Sequence, residues 1–373
     1  MNLVNKANIS LAFVAPGSIV HTIKWVNGLA DRGIDVTLIT QHKVVSKIHP
    51  DVSVVYLPYS GGKGYILNAY ALKKVIKKLS PSVTNVHYAS GYGTLALLSG
   101  IKPYILSVWG SDVYEFPSQS KFKHWLIKKN LLNAKRIAST SYAMAEQVNT
   151  ILNSNELKIA ITPFGVNLAN FTKTKEPFAS DVITIGIVKR LEHKYGIDLL
   201  IEGFALAESQ LKLIEKHKNI DLKLIVVGDG SREEELKRLA DTCGVLSRTN
   251  FVGSVDNLRV THYINETDIF VVPSRIESFG VAAIEALACE RPCIVANTGG
   301  LPEVIMNGTT GMVVDSESAE AIANAIVYCI NNKAAAIKMG EKGRESVIEQ
   351  YTEAAALDVM INLYQQFDQQ NGN

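Results

Sequence analysis

Two glutamates are the first residues in this chain that call for a chemical explanation. Glu277 and Glu285, separated by seven residues, bracket the start of an Ala-rich segment within 268–300, DIFVVPSRIESFGVAAIEALACERPCIVANTGG. Glu285 is flanked by Ala, Val and Ile, and an uncompensated carboxylate is costly to bury. The run 269–272 reads as a strand, 273–278 as a polar turn and 280–290 as a helix. A second strand at 293–296 leads into Thr298-Gly299-Gly300. Where strand meets helix, backbone N–H groups lack partners, and α/β proteins hold anionic or hydroxylated ligands at such places.

Cations stand at a matching position. The segment 188–196, VKRLEHKYG, follows another strand-like run and offers Arg190 and Lys194. A planar fork and a point charge together suit a diphosphate, and a solvated charged loop has the same composition. Gly228-Asp229-Gly230 and Phe251-Val252-Gly253 each close a strand-like run, allowing close ligand approach or simply a tight turn. In the first half, 108–112 (VWGSD) places Trp109 and Asp112 just past a strand, and His87 ends the strand before it. Asp112 reads as a turn cap or as a catalytic carboxylate. His87 is the better titratable candidate, with a structural histidine as the alternative. Gly165 follows Pro163-Phe164 at the expected domain junction, where a hinge or ligand-lining turn is plausible. Gly17 and Ser18 form a Gly-containing turn after the first strand. It lacks the G-x-G-x-x-G pattern, so a dinucleotide fingerprint is not supported.

Positioning these groups requires alternating strands and helices. Strands are predicted in the first half at 10–14, 35–39, 52–56, 83–87, 104–108 and 136–139, and helices at 19–32, 65–79, 91–98, 121–133 and 141–152. The second half restarts the series with strands at 183–188, 222–227, 249–252, 269–272, 293–296 and 312–314. Its helices are expected at 196–214, 231–242, 256–264, 280–290, 301–306 and 317–330, with a helical tail at 334–348 and 352–367. Such a rhythm argues for parallel sheets covered on both faces. A chain of 373 residues exceeds one ordinary core, and two domains of about 150–190 residues are expected. The polar stretch 167–180 reads as the connection, giving domains 1–168 and 181–351 with a linker at 169–180. Two doubly wound domains facing each other across a cleft follow from this division.

With 47% apolar and 20% charged residues, the composition is that of a soluble globular protein. The apolar run 9–15 is stopped by Pro16-Gly17, so it reads as a strand and not as a signal peptide or spanning helix. Cys243, Cys289, Cys293 and Cys329 show no metal-ligand spacing and read as buried thiols in a reducing compartment. Charge is distributed unevenly. Residues 1–168 hold 18 Lys/Arg against 7 Asp/Glu, a balance of +11 against −9 in the remainder. The first half is therefore expected to face something anionic. Two of its segments, 71–79 and 121–136, mix Lys with apolar residues. They read as ordinary surface helices or as a face for lipid headgroups.

As an ordered series, these motifs resemble the retaining glycosyltransferases with two Rossmann-like domains, glycosyltransferase family 4. The match runs over nearly the whole chain and is strongest at 163–351. It rests on Pro163-Phe164-Gly165-Val166-Asn167, Arg190 and Lys194 with Gly196, and Gly228-Asp229-Gly230. Phe251-Val252-Gly253, the Glu277/Glu285 pair and Gly299-Gly300-Leu301-Pro302-Glu303 complete it. The resemblance implies the GT-B arrangement, with a last helix from about 352 returning to the N-terminal, acceptor-binding domain. It implies that Arg190 and Lys194 hold the diphosphate of a nucleotide-sugar donor, that Glu285 binds the ribose and that Glu277 binds the transferred sugar. Backbone amides at Phe279 and Gly280 would face sugar and phosphate, and Gly17-Ser18 would lie near the diphosphate. No metal or other cofactor is implied, and no Asp-x-Asp motif is present. The sequence departs from the family at Trp109, where many relatives carry His. Trp109 would instead stack on a sugar ring, with His87 or Asp112 supplying a polar contact.

The family's usual donors imply a UDP-hexose or UDP-N-acetylhexosamine. The basic first domain suggests a lipid-linked or glycan acceptor in surface-polysaccharide or lipopolysaccharide assembly, with the enzyme peripheral on the inner face of the cell membrane. Nucleic acid is not an expected partner. Two rival readings are a UDP-sugar 2-epimerase of the same architecture and a non-catalytic nucleotide-binding or interaction protein.

Overall fold

The computed structural model describes residues 9–154, 158–217 and 220–371. Apolar runs of the first half pair into one parallel sheet of seven strands: β1 (Ser10–Val14), β2 (Asp35–Thr40), β3 (Ser53–Tyr56), β4 (Val83–His87), β5 (Ile105–Ser107), β6 (Arg136–Ser139) and β7 (Ala160–Ile161). Their order is β3-β2-β1-β4-β5-β6-β7. The chain starts in the middle, winds outward to β3, then crosses back to β4, so strand order reverses between β1 and β4. Val14 is level with Ile39 on one side and Val86 on the other. Leu11, Ala12, Phe13 and Val14 are all buried, as in a central strand covered on both faces.

The second half repeats the plan with β8 (Val182–Val188), β9 (Asp221–Val227), β10 (Thr249–Gly253), β11 (Ile269–Val272), β12 (Cys293–Ala296) and β13 (Gly311–Val314), in the order β10-β9-β8-β11-β12-β13. Ile183, Ile185 and Ile187 on alternate positions of β8 enter one core with Leu224, Val271 and Ile294. Strand order reverses here between β8 and β11.

The chain divides into two units. One runs to Pro163 and takes back the segment from Glu353 onward; the other is Phe164–Thr352. The returning helix Glu353–Asn371 buries Met360, Tyr364 and Phe367, and the Tyr364 hydroxyl donates to Asn85 Oδ1 on β4 at 2.8 Å. Leu357 of that helix fits over Gly28, where an added Cβ would lie 2.8 Å from its Cδ1.

Three details differ from the sequence expectation. Residues 167–180 are not a free linker but are bound into the second unit. Thr174 N–H donates to Asn265 Oδ1 (2.8 Å), Asn265 Nδ2 donates to the Thr172 carbonyl (3.0 Å), and Phe178 N–H donates to Asp268 Oδ1 (2.6 Å). The helix expected over 65–79 is two, Gly61–Leu67 and Ala69–Leu79. They break at Asn68, whose buried amide is occupied by Tyr59 and Gln41. The short strand β7 had no counterpart in the sequence reading.

Candidate active site

In the second unit, the loop after β8 and the loop after β11 meet where strand order reverses, the usual ligand position in open α/β sheets. Lys189, directly after β8, places Nζ 2.6 Å from Glu277 Oε2. Both side chains are largely enclosed, at 15% and 9% exposure. The Lys189 ammonium also lies 4.8 Å above the Tyr195 ring. Burial works against its charge, but Glu277, Tyr195 and Glu285 outweigh it and hold its pKa above the ordinary lysine value. The Ser274 hydroxyl donates to the same Glu277 oxygen at 3.3 Å.

The loops come this close because glycines clear the way. An added Cβ on Gly228 (φ +134°) would stand 1.9 Å from the Lys189 carbonyl oxygen, and one on Gly299 (φ +51°) 1.7 Å from that of Glu277. Gly300 N–H donates to the Glu277 carbonyl at 3.1 Å, and Lys189 N–H to that of Val227 at 2.9 Å. Gly280 (φ +110°) caps the helix Val281–Ala288, which carries Glu285, half-buried, on its second turn. Phe279 is buried against Phe164 and Tyr351, which brings the Gly165 turn beside the helix start.

The two predicted cations take different positions. Arg190 is 71% exposed, with its guanidinium 3.7 Å from the Glu192 carboxylate. Lys194 is half-buried, its ammonium 5.1 Å from the Tyr195 ring, and its carbonyl accepts from Arg275 and Ile276 N–H. Arg275 is locked by a two-pronged bond to Asp198 at 2.8 and 2.9 Å. Together these contacts tie the loop after β8 to the loop after β11.

In the first unit, the turn after β1 is held by Thr40. Gly17 N–H donates to Thr40 Oγ1 at 2.9 Å, and Ser18 is exposed. The Tyr92 hydroxyl braces this threonine at 3.1 Å and also meets His42 Nδ1 at 2.8 Å. Across the strand reversal, Tyr88 adopts φ +72°, a strained conformation for a tyrosine, just after β4.

Asp112 is corrected from catalytic group to cap. It is fully buried and accepts from Ala89, Gly110 and Trp109 N–H at 2.7, 2.8 and 3.2 Å. Its carboxylate is thus spent on the backbone, and burial lifts its pKa against the pull of those bonds. His87 is likewise corrected. Its ring is fully buried and stacked on Phe13 at 4.0 Å, and burial pulls its pKa down to about 3. A ring so enclosed resists protonation, as a histidine packed into a core does. Trp109 packs among His87, Tyr88 and His21, with 8% of the residue exposed, so the open face that sugar stacking needs is covered.

Two family profiles match the chain, one for each half. "Glycosyl transferase 4-like" covers residues 10–141 and "Glycosyl transferases group 1" covers 170–346. The chain belongs to the family 4 glycosyltransferases. It is 25% identical over 352 residues to the N-acetyl-alpha-D-glucosaminyl L-malate synthase of Bacillus anthracis, covering 87% of each chain. Its fold is similar to that of sucrose-phosphate synthase from Thermosynechococcus elongatus, with TM-score 0.78 and 22% identity over 96% of this chain and 98% of the other. Anabaena HepE, solved with UDP and glucose, superposes with TM-score 0.76 at 15% identity over 96% and 99%. These likenesses establish the GT-B fold.

In this glycosyltransferase the residue that the sequence reading passed over is Lys189. Its signal is the period of β8. Ile183, Ile185 and Ile187 point into the core, and the next residue of that parity is Lys189. A lysine on the buried parity at the carboxyl end of a central strand needs a carboxylate partner, and Glu277 supplies it.

Proposed function

We propose that this glycosyltransferase is a retaining enzyme that moves a hexose or N-acetylhexosamine from a UDP-sugar to a lipid-linked or polysaccharide acceptor, in bacterial cell-surface polysaccharide or lipopolysaccharide synthesis. The observation that supports this best is the buried Lys189–Glu277 pair at the strand reversal, with Glu285 on the adjoining helix. Carboxylates are natural acceptors for sugar and ribose hydroxyls. The relatives add a ligand class, since HepE holds UDP and glucose and the Bacillus protein is named for N-acetylglucosaminyl transfer.

In this scheme Glu285 takes the ribose hydroxyls and Glu277 the transferred sugar. Arg190 and Lys194 take the diphosphate, backed by the Phe279 and Gly280 amides, while the turns at Gly165 and Gly228 line the donor site. The bond from the anomeric carbon to the diphosphate oxygen breaks, and the acceptor oxygen bonds to that carbon from the same face. The acceptor's proton passes to the leaving phosphate oxygen, whose growing charge the two cations stabilise.

The first unit would take the acceptor at an anionic membrane surface. No helix among the described residues is long and apolar enough to cross a membrane. The helix Lys121–Asn133 presents Phe122 and Trp125, 66% and 51% exposed and stacked at 5.9 Å, among Lys121, Lys128 and Lys129. The helix Gly91–Ser99 packs against it and also against Gly61–Leu67 and Ala69–Leu79, so the four helices form one layer. Ile66, Leu67, Tyr70 and Leu98 are exposed on that layer.

Thermal unfolding with a panel of nucleotide sugars tests the donor. Binding at a hundredfold excess over Kd adds about 2.7 kcal/mol of stability, and the midpoint should rise for UDP-sugars. Incubation with acceptor extract should then yield a product of unchanged anomeric configuration. A panel that leaves the midpoint fixed, or turnover that ignores acceptor, would overturn the proposal.

A further inference from the structure

Glu277 is held through its Oε2 oxygen. Lys189 Nζ and the Ser274 hydroxyl both address Oε2, at 2.6 and 3.3 Å. Oε1 takes part in neither of these two contacts. An ammonium has three donors, and Glu277 engages one of those of Lys189; the Tyr195 ring lies 4.8 Å from the nitrogen. The pair therefore presents a second acceptor, Oε1, beside the remaining donors of the Lys189 ammonium. Both stand on backbone packed closely against glycines. The Glu277 carbonyl is clamped by Gly299 and Gly300, and the Lys189 carbonyl is packed against Gly228.

Adjacent sugar hydroxyls present the complementary pattern, each able to donate one hydrogen bond and accept another. We infer that Lys189 is a specificity-determining residue: with Glu277 it forms a donor–acceptor pair that reads two neighbouring hydroxyls of the transferred sugar, Glu277 Oε1 accepting from one and the Lys189 ammonium donating to the other. This rests on the proposed nucleotide-sugar site in the second unit and adds a residue to it. Lys189 differs in this from the exposed Arg190, whose guanidinium stands 3.7 Å from the Glu192 carboxylate. A site built to hydrogen-bond a hydroxyl discriminates strongly, because its buried polar groups are left unpaired when the hydroxyl is missing.

Calorimetric titration separates the sugar from the nucleotide. UDP, UDP-glucose and UDP-N-acetylglucosamine are titrated into the full chain and into Lys189→Met, Lys189→Arg and the isosteric Glu277→Gln. The last covers the case in which removing the lysine unfolds the protein. The expected result is UDP affinity within about twofold of wild type in every folded variant. Affinity for the preferred UDP-sugar should fall about tenfold or more in Lys189→Met and in Glu277→Gln, and recover in part in Lys189→Arg. Equal losses for UDP and UDP-sugar would make Lys189 a diphosphate cation or a purely structural group and overturn the inference. Unchanged UDP-sugar affinity would overturn it as well. Wild-type protein that binds none of the three ligands is a separate failure, which sinks the nucleotide-sugar site itself and this pair with it.

Discussion

His87 sits between Phe13 and Trp109 with neither ring nitrogen meeting a hydrogen-bond partner among the described residues, and its pKa falls to about 3. Since the unfolded chain titrates near the ordinary value of about 6.5, it binds the proton more readily than the folded one between those limits. The contribution of His87 is thus fully present above about pH 6.5 and is lost as pH falls toward 3, with a slope of up to about 1.4 kcal/mol per unit. His87→Phe keeps the stack without the titration. Urea unfolding at pH 7 and pH 5 should show a smaller drop in the variant than in wild type; equal drops would mean that His87 is not the group responsible. Asp112, shifted in the opposite direction, is common to both proteins and cancels in the comparison. At the same scale, Glu285→Ala should weaken UDP binding by about 1.5–3 kcal/mol, the usual loss for hydrogen bonds to a charged group. Titration that finds UDP affinity unchanged would remove Glu285 from its proposed place on the ribose.

The strand-end loops hold the site together through glycines whose reasons can be separated. Gly299 combines a left-handed φ with an obstructing carbonyl 1.7 Å from where a Cβ would sit, whereas Gly244 has φ +70° with nothing within 4 Å. Gly244→Ala should therefore cost about 1 kcal/mol, the conformational penalty alone. Gly299→Ala must also push the Glu277 loop aside, and its cost should exceed that of Gly244→Ala while UDP-sugar affinity falls. Thermal unfolding and titration of both variants check this, and equal losses would refute the clamp. Much at this scale was legible in the sequence, because alternating apolar runs and glycine-rich ends mark parallel strands without reference to any partner. The break at Asn68 and the anchoring of 167–180 were not. Each depends on side chains distant in the chain, Gln41 in one case and Asn265 with Asp268 in the other. Lys189 lay between: its parity is written in β8, but its partner stands 88 positions further on.

Across the whole molecule, the basic character of the first half is concentrated where it can act. The stretches 59–79 and 117–136 contain Lys63, Lys73, Lys74, Lys77, Lys78, Lys121, Lys123, Lys128, Lys129, Lys135 and Arg136 and no Asp or Glu. Near an anionic surface each such cation contributes about 1 kcal/mol, and salt screens the attraction. Co-sedimentation with phosphatidylglycerol vesicles should accordingly fall with added salt and be weakened by Trp125→Ser; equal binding to neutral vesicles would speak against the membrane proposal. The helix Glu353–Asn371 makes a different demand on the chain, because the last residues complete the unit formed by the first ones. Met360, Leu363, Tyr364 and Phe367 are buried there, each contributing about 1.5–3 kcal/mol relative to exposure. Their sum is comparable to the whole stability of a domain, roughly 5–15 kcal/mol. Ending the chain at Thr352 should therefore abolish the unfolding transition of the first unit in calorimetry and leave that of Phe164–Thr352, whose core contains none of these side chains. Tyr364→Phe is the graded version. It removes only the bond to the buried Asn85 amide, and the first unit's stability should drop by about 1–3 kcal/mol with the helix still docked. A truncated chain that retains the first unit's transition would show that the β-sheet unit folds without its returning helix, and a Tyr364→Phe protein of wild-type stability would show that Asn85 finds another partner.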